Sequence, residues 1–142
     1  MSVASGVASR VAPRDRSGLL LLAPVAAAVA MAVFLVLPYY VNDLHHVPLL
    51  EVTGGAHDPH GLWPYADGGP LAVVLSWGAF AAIVLAPFAA GVAALAAVID
   101  LKSTQKPYRR VGRSLATVVL ALGVLAWLVT PLGGGLVAWW FD

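Results

Sequence analysis

Residues 70–99 read PLAVVLSWGAFAAIVLAPFAAGVAALAAVI, a run with no Asp, Glu, Lys, Arg or His. The hydrocarbon core of a bilayer is about 30 Å thick, and a helix crosses it in about 20 apolar residues. A helix over the whole of 70–99 reaches about 45 Å at about 1.5 Å per residue. It must therefore tilt, bend or project past the bilayer. Pro87 has no N–H to offer Ile83, so a bend is expected there. Prolines are tolerated in membrane helices without any binding role, and that is the reading adopted for Pro87. Asp67, Gly68 and Gly69 lead into Pro70, which suits the first turn of a helix, where a missing donor costs little.

Two further stretches share this character, 18–40 and 114–132, and neither holds a charged residue or a histidine. A single charge at the centre of a span costs roughly 2.5–3.5 kcal/mol on insertion scales, so three uncharged stretches point to three transmembrane helices. Composition agrees. Charged residues make up 11% and hydrophobic residues 61% of the 142, against about 25% charged in soluble domains. A soluble fold needs far more polar surface, and lipid is the natural solvent for this chain. The first stretch follows basic residues, as a signal peptide does, but its apolar run exceeds the 7–15 residues typical of a signal core. A retained anchor is expected.

Orientation follows from the positive-inside rule. All eight basic residues fall in two places: Arg10, Arg14 and Arg16 in segment 1–17, and Lys102, Lys106, Arg109, Arg110 and Arg113 in segment 100–113. Loop 41–69 and tail 133–142 have none, and instead carry Asp43, Glu51, Asp58, Asp67 and Asp142. The expected protein is an all-α integral membrane protein with a cytoplasmic N-terminus and an extracytoplasmic C-terminus. Abundant Ala, Val, Gly and Leu with only two lysines suggest GC-rich bacterial codons, hence a multi-pass protein of a bacterial inner membrane. The basic inner segment is explained by topology and an anionic leaflet, at about 1 kcal/mol per cation near the surface. Nothing in the charge distribution points to nucleic acid.

Small residues mark where helices can approach closely, since lipid offers no hydrophobic drive between them. In 70–99, Ala79, Ala82, Ala86, Ala89 or Ala90, Ala93 and Ala97 recur at three- and four-residue spacing, with Ala26 and Ala30 a weaker echo in 18–40. Contact among the chain's own spans is the expected use. Tyr39, Tyr40, Trp63, Tyr65, Trp139, Trp140 and Phe141 collect at the outer boundary, where amphipathic rings favour the headgroup region. Gly133, Gly134 and Gly135 are expected to end or loosen the third helix ahead of that aromatic anchor.

Chemistry is scarce. With no cysteine, disulfides, thiolate metal sites, iron–sulfur clusters and cysteine nucleophiles are excluded within the chain. Ser76, Thr117 and Thr130 are among the few hydroxyls within the spans, and such groups can bond their own preceding turn. Ion or proton translocation by the chain alone needs ionisable groups at depth, and none is present. The outer loop holds all four histidines, His45, His46, His57 and His60, among four carboxylates. Imidazole with carboxylate suits zinc or copper, although the spacing matches no established ligand pattern. His57 beside Asp58 resembles a base and its orienter, but the loop offers no nucleophile beyond Thr53 and the tyrosines.

Two functions are compatible with this pattern. The first is a non-catalytic accessory or assembly subunit of a larger membrane complex, with a respiratory oxidoreductase assembly as the first host to consider. It needs no cofactor. The alternative is a small membrane protein that binds or senses zinc or copper through the loop histidines.

Overall fold

The computed structural model describes residues 16–102 and 107–141. Segment 1–15, Lys106 and Asp142, which enter the charge argument, lie outside the described residues. Among those described there is no strand; the elements are helices and turns. Four long helices carry the fold. The first, α1, is a continuous helix in three segments: α-helical Arg16–Met31, π-helical Ala32–Val36 and α-helical Leu37–Val41. Next come α2, Pro70–Leu101, and α3, Tyr108–Leu128. Last is α4, Pro131–Phe141. Three helical spans, Gly18–Val41, Pro70–Leu101 and Tyr108–Leu128, are long and apolar enough to cross a membrane. The protein is thus a multi-pass helical membrane protein.

The bundle is organised around α2, which packs along both α1 and α3, while α1 also touches α3. Its contact stripe is the alanine series. Ala79, Ala82, Ala86, Ala90, Ala93 and Ala97 are all buried, whereas Ala89 is exposed, so the helix rotation selects Ala90 at the ambiguous position. Small side chains let the backbones come close, and the gain is dispersion and close packing rather than expulsion of water. Many large apolar residues of the spans point outward: Leu85, Phe88, Leu95, Val119 and Leu122 are exposed, as a lipid-facing surface requires. At 32 residues α2 extends about 48 Å, well past a bilayer core of about 30 Å. The helix is continuous through Pro87.

The π-helical segment in α1 has an identifiable cause. Leu37 N–H bonds back to the Ala32 carbonyl, one residue farther than an α-helix allows. One residue on stands Pro38, whose missing N–H removes the α-helical donor for the Phe34 carbonyl. That carbonyl is claimed instead by the Tyr65 hydroxyl, at 2.7 Å.

Two boundaries differ from the sequence expectation. The third helix starts at Tyr108 rather than Ser114, so its first turn carries Arg109 and Arg110 beyond the apolar stretch. Ser114, which is buried, donates to the Asp100 carboxylate at 2.8 Å and ties the start of α3 to the end of α2. Thr117 bonds the Arg113 carbonyl one turn back, as expected of a hydroxyl in a span.

The larger difference lies at 131–141. These residues are not a loosened tail but the helix α4. Thr130 and Pro131 start it. The Thr130 hydroxyl donates to the Trp127 carbonyl at 2.6 Å and accepts from the Gly133 N–H at 3.0 Å, the geometry of an N-cap with proline in the first helical position. Gly133 permits the sharp return: a Cβ there would collide with the Trp127 carbonyl oxygen and approach its carbon at 2.9 Å. The residues Gly133, Leu136, Trp139 and Trp140 make one buried face at three- and four-residue spacing.

Because α4 folds back, there are two cores. Ala27, Met31, Leu35, Ala79, Ile83, Ala86, Ala90, Ala121 and Val124 fill the bundle, with Tyr65 and Trp140 closing its loop-side end. Tyr39, Leu44, Val52, Leu136 and Trp139 form a second core between the end of α1, the loop and α4, and Trp127 packs against both. Trp139 and Trp140 are 1% and 4% exposed, so they are core residues and not headgroup anchors. Tyr40, Trp63 and Phe141 remain outward on that side.

Candidate functional site

The loop-side layer is built on the end of α1. Asn42 terminates the helix, and its side-chain amide donates to the carbonyls of Pro38 and Trp63, both at 2.7 Å, pinning the start of the loop to its end. Asp43 takes the left-handed conformation, φ 56°, and turns the chain into a single 3-10 turn over Leu44–His46. Asp tolerates this conformation better than most residues. Leu44 is buried in the second core, which drives His45 and His46 outward.

This turn brings three potential ligands together. One donor atom each from Asp43, His45 and His46 lies within 4.8 Å of the others. The rings of His45 and His46 sit 3.9 Å apart, centroid to centroid, and His45 stacks on Tyr40 at 5.0 Å with an interplanar angle of 30°.

The other two histidines are placed elsewhere. His57 is held by its backbone, whose carbonyl accepts the indole N–H of Trp139 at 2.6 Å across 82 residues of sequence. His60 follows Asp58, whose carboxylate accepts the His60 backbone N–H at 2.8 Å and caps the turn Pro59–Gly61. Asp58 is thus occupied as a cap. The His60 ring lies 5.0 Å from the Trp140 ring. The four histidines therefore fall into three places, and the carboxylate that joins His45 and His46 is that of Asp43. The pattern Asp43-x-His45-His46 was the available clue, but it depends on a left-handed residue to become a cluster.

Beside His60 lies a lateral hollow of about 490 Å³ between α2, α4 and the loop, walled by Tyr65, Trp77, Phe80, Trp140 and Phe141. Its rings meet edge to face, Tyr65 on Trp140 at 4.6 Å and Phe80 on Phe141 at 6.5 Å. Burial of Tyr65 pushes its phenol up to about 12, because the charged form loses its solvation there. The hydroxyl is accordingly a fixed donor to the Phe34 carbonyl at neutral pH. Thr53, the loop's aliphatic hydroxyl, faces its own turn, with Oγ1 at 3.4 Å from the Leu50 carbonyl. Residues 41–69 contain four carboxylates and no Lys or Arg, so the local field favours cations.

No protein-family profile matches this chain, and neither a curated protein nor a solved structure is similar to it.

Proposed function

We propose that this chain is a non-catalytic accessory or assembly subunit of a larger bacterial inner-membrane complex. In this reading the basic ends of the spans face the cytoplasm and the histidine-bearing layer faces outward, as the segregation of cations supports. A respiratory oxidoreductase assembly is the first host to test.

Leu50 carries the reading. It is 86% exposed in the loop-side layer. Its neighbours on either side in sequence are anchored: Leu44 and Val52 are buried, and the loop ends are joined through Asn42. Burying such a leucine is worth roughly 1.5–3 kcal/mol. A fixed scaffold that presents such a side chain is suited to docking on a partner's external face.

The test is purification of the tagged chain in mild detergent from the membranes of the cell that makes it, with and without Leu50→Glu. A stoichiometric larger partner that is lost in the variant, with the thermal transition of the chain unchanged, supports the proposal. A lone monomer or homo-oligomer in both preparations overturns it.

A further inference from the structure

We propose that Asp43, His45 and His46 form a binding site for a divalent cation of the zinc–copper class at the loop-side end of α1. The inference is independent of the accessory reading, since it concerns the chain alone.

The donor set is two imidazole nitrogens and one carboxylate oxygen, which zinc and copper(II) both accept. The geometry is close to what such an ion requires. Donors bound at about 2.0–2.1 Å around a tetrahedral centre stand about 3.3 Å apart. The three candidate atoms already lie within 4.8 Å of one another. All three side chains are exposed, so the remaining approach needs only side-chain rotation and no repacking.

Their availability is the second argument. Among the described residues, none of the three side chains has a hydrogen bond or ion pair within the protein; the ring contacts of the two imidazoles are with Tyr40 and with each other. The backbone beneath them is held nonetheless, by Leu44 in the second core and by the Asn42 amide on Pro38 and Trp63. Fixed backbone under free donor atoms is the arrangement in which binding loses least entropy. Stacking of His45 on Tyr40 restricts one ligand further.

Electrostatics points the same way. Glu51, Asp58 and Asp67 add negative charge to a loop with no Lys or Arg, which raises the local concentration of cations. Three protein ligands leave a coordination position for water or for a group from another molecule. His57 and His60 take no part.

The test uses the full chain in detergent, stripped of metal and titrated separately with Zn²⁺ and Cu²⁺. Ion per chain is measured by equilibrium dialysis and elemental analysis. One ion per chain is expected. Asp43→Asn, or His45→Gln with His46→Gln, should weaken binding at least about tenfold, since even outer-sphere changes at metal sites cost 10–100-fold. His57→Gln with His60→Gln should leave it unchanged. Electron paramagnetic resonance of the Cu²⁺-loaded unsubstituted chain should show coupling to two imidazole nitrogens, a readout that no variant's folding can compromise. Substoichiometric binding, a spectrum without nitrogen coupling, or equal weakening by the His57/His60 pair would each overturn the proposal.

Discussion

The Tyr65 hydroxyl donates a hydrogen bond to the Phe34 carbonyl at 2.7 Å, joining the loop to the point in α1 where Pro38 has removed a helical donor. The two irregularities are one device. Pro38 opens the helical ladder at the Phe34 carbonyl, and Tyr65, 31 positions after Phe34, closes it. Tyr65→Phe leaves an apolar ring of the same shape and an orphaned carbonyl. The expected loss is about 1–3 kcal/mol, the cost of an unsatisfied buried acceptor. Thermal or denaturant unfolding in detergent measures it.

The same phenol sets an alkaline limit. Its pKa is raised from 10.0 to about 12 in the folded chain, so the fold prefers the neutral form. Its contribution is therefore complete below pH 10 and lost as pH rises through about 12. Stability should decline across pH 10–12 in the unsubstituted chain, and that part of the decline should be absent in Tyr65→Phe. An unchanged profile in the variant counts against the assignment.

Gly133 is a steric requirement where Gly123 is not. A Cβ at 133 would collide with the Trp127 carbonyl oxygen, whereas a Cβ at 123 meets nothing within 4 Å. Gly133→Ala should displace α4 and destabilise by about 1–3 kcal/mol, the usual cost of overpacking. Gly123→Ala should be neutral or slightly stabilising, since alanine favours helix over glycine. Trp139 fluorescence in a background with the other tryptophans replaced by Phe reports whether α4 stays docked.

The rotation of α2 is tested by adjacent alanines. Ala90 is fully buried against the neighbouring helices, and Ala89 is exposed. Ala90→Leu should cost about 1–3 kcal/mol through overpacking, and Ala89→Leu close to nothing. Unfolding by increasing mole fraction of a denaturing detergent distinguishes them. Equal effects would contradict the helix face assigned to the bundle.

The proposed orientation can be read directly, because the chain has no cysteine of its own. Leu50→Cys and Arg110→Cys are exposed or half-buried positions on opposite sides of the spans. In intact cells an impermeant thiol reagent should label Leu50→Cys and spare Arg110→Cys until the membrane is broken. The reverse pattern would invert the topology.

How much of this was legible in the residues differs between lipid and loop. The three spans, the central alanine stripe and the start of α2 at Pro70 could be read directly. In lipid a helix needs only length and the absence of charge, both local properties. The apolar run begins at Ser114, six residues after the helix does, because Arg109, Arg110 and Arg113 interrupt the apolar pattern without ending the helix. Helix α4 is not expected from the sequence, where Gly133, Gly134 and Gly135 argue for a loosened end; in the structure Thr130 and Pro131 form the N-cap and first turn of a new helix.

Tertiary structure alone decided the loop-side layer. Trp139 meets His57 across 82 residues, and no local pattern encodes that contact. It converts two expected interfacial tryptophans into core, and with them it separates the histidines. Asp43 joins His45 and His46 only because the chain takes a left-handed turn over a buried Leu44. Composition and charge determine that this protein belongs in a membrane, since burial in lipid is a sum over local residues. Which side chains stand together at its surface depends on long-range packing, where a single residue such as Gly133 or Asn42 sets the path of the chain.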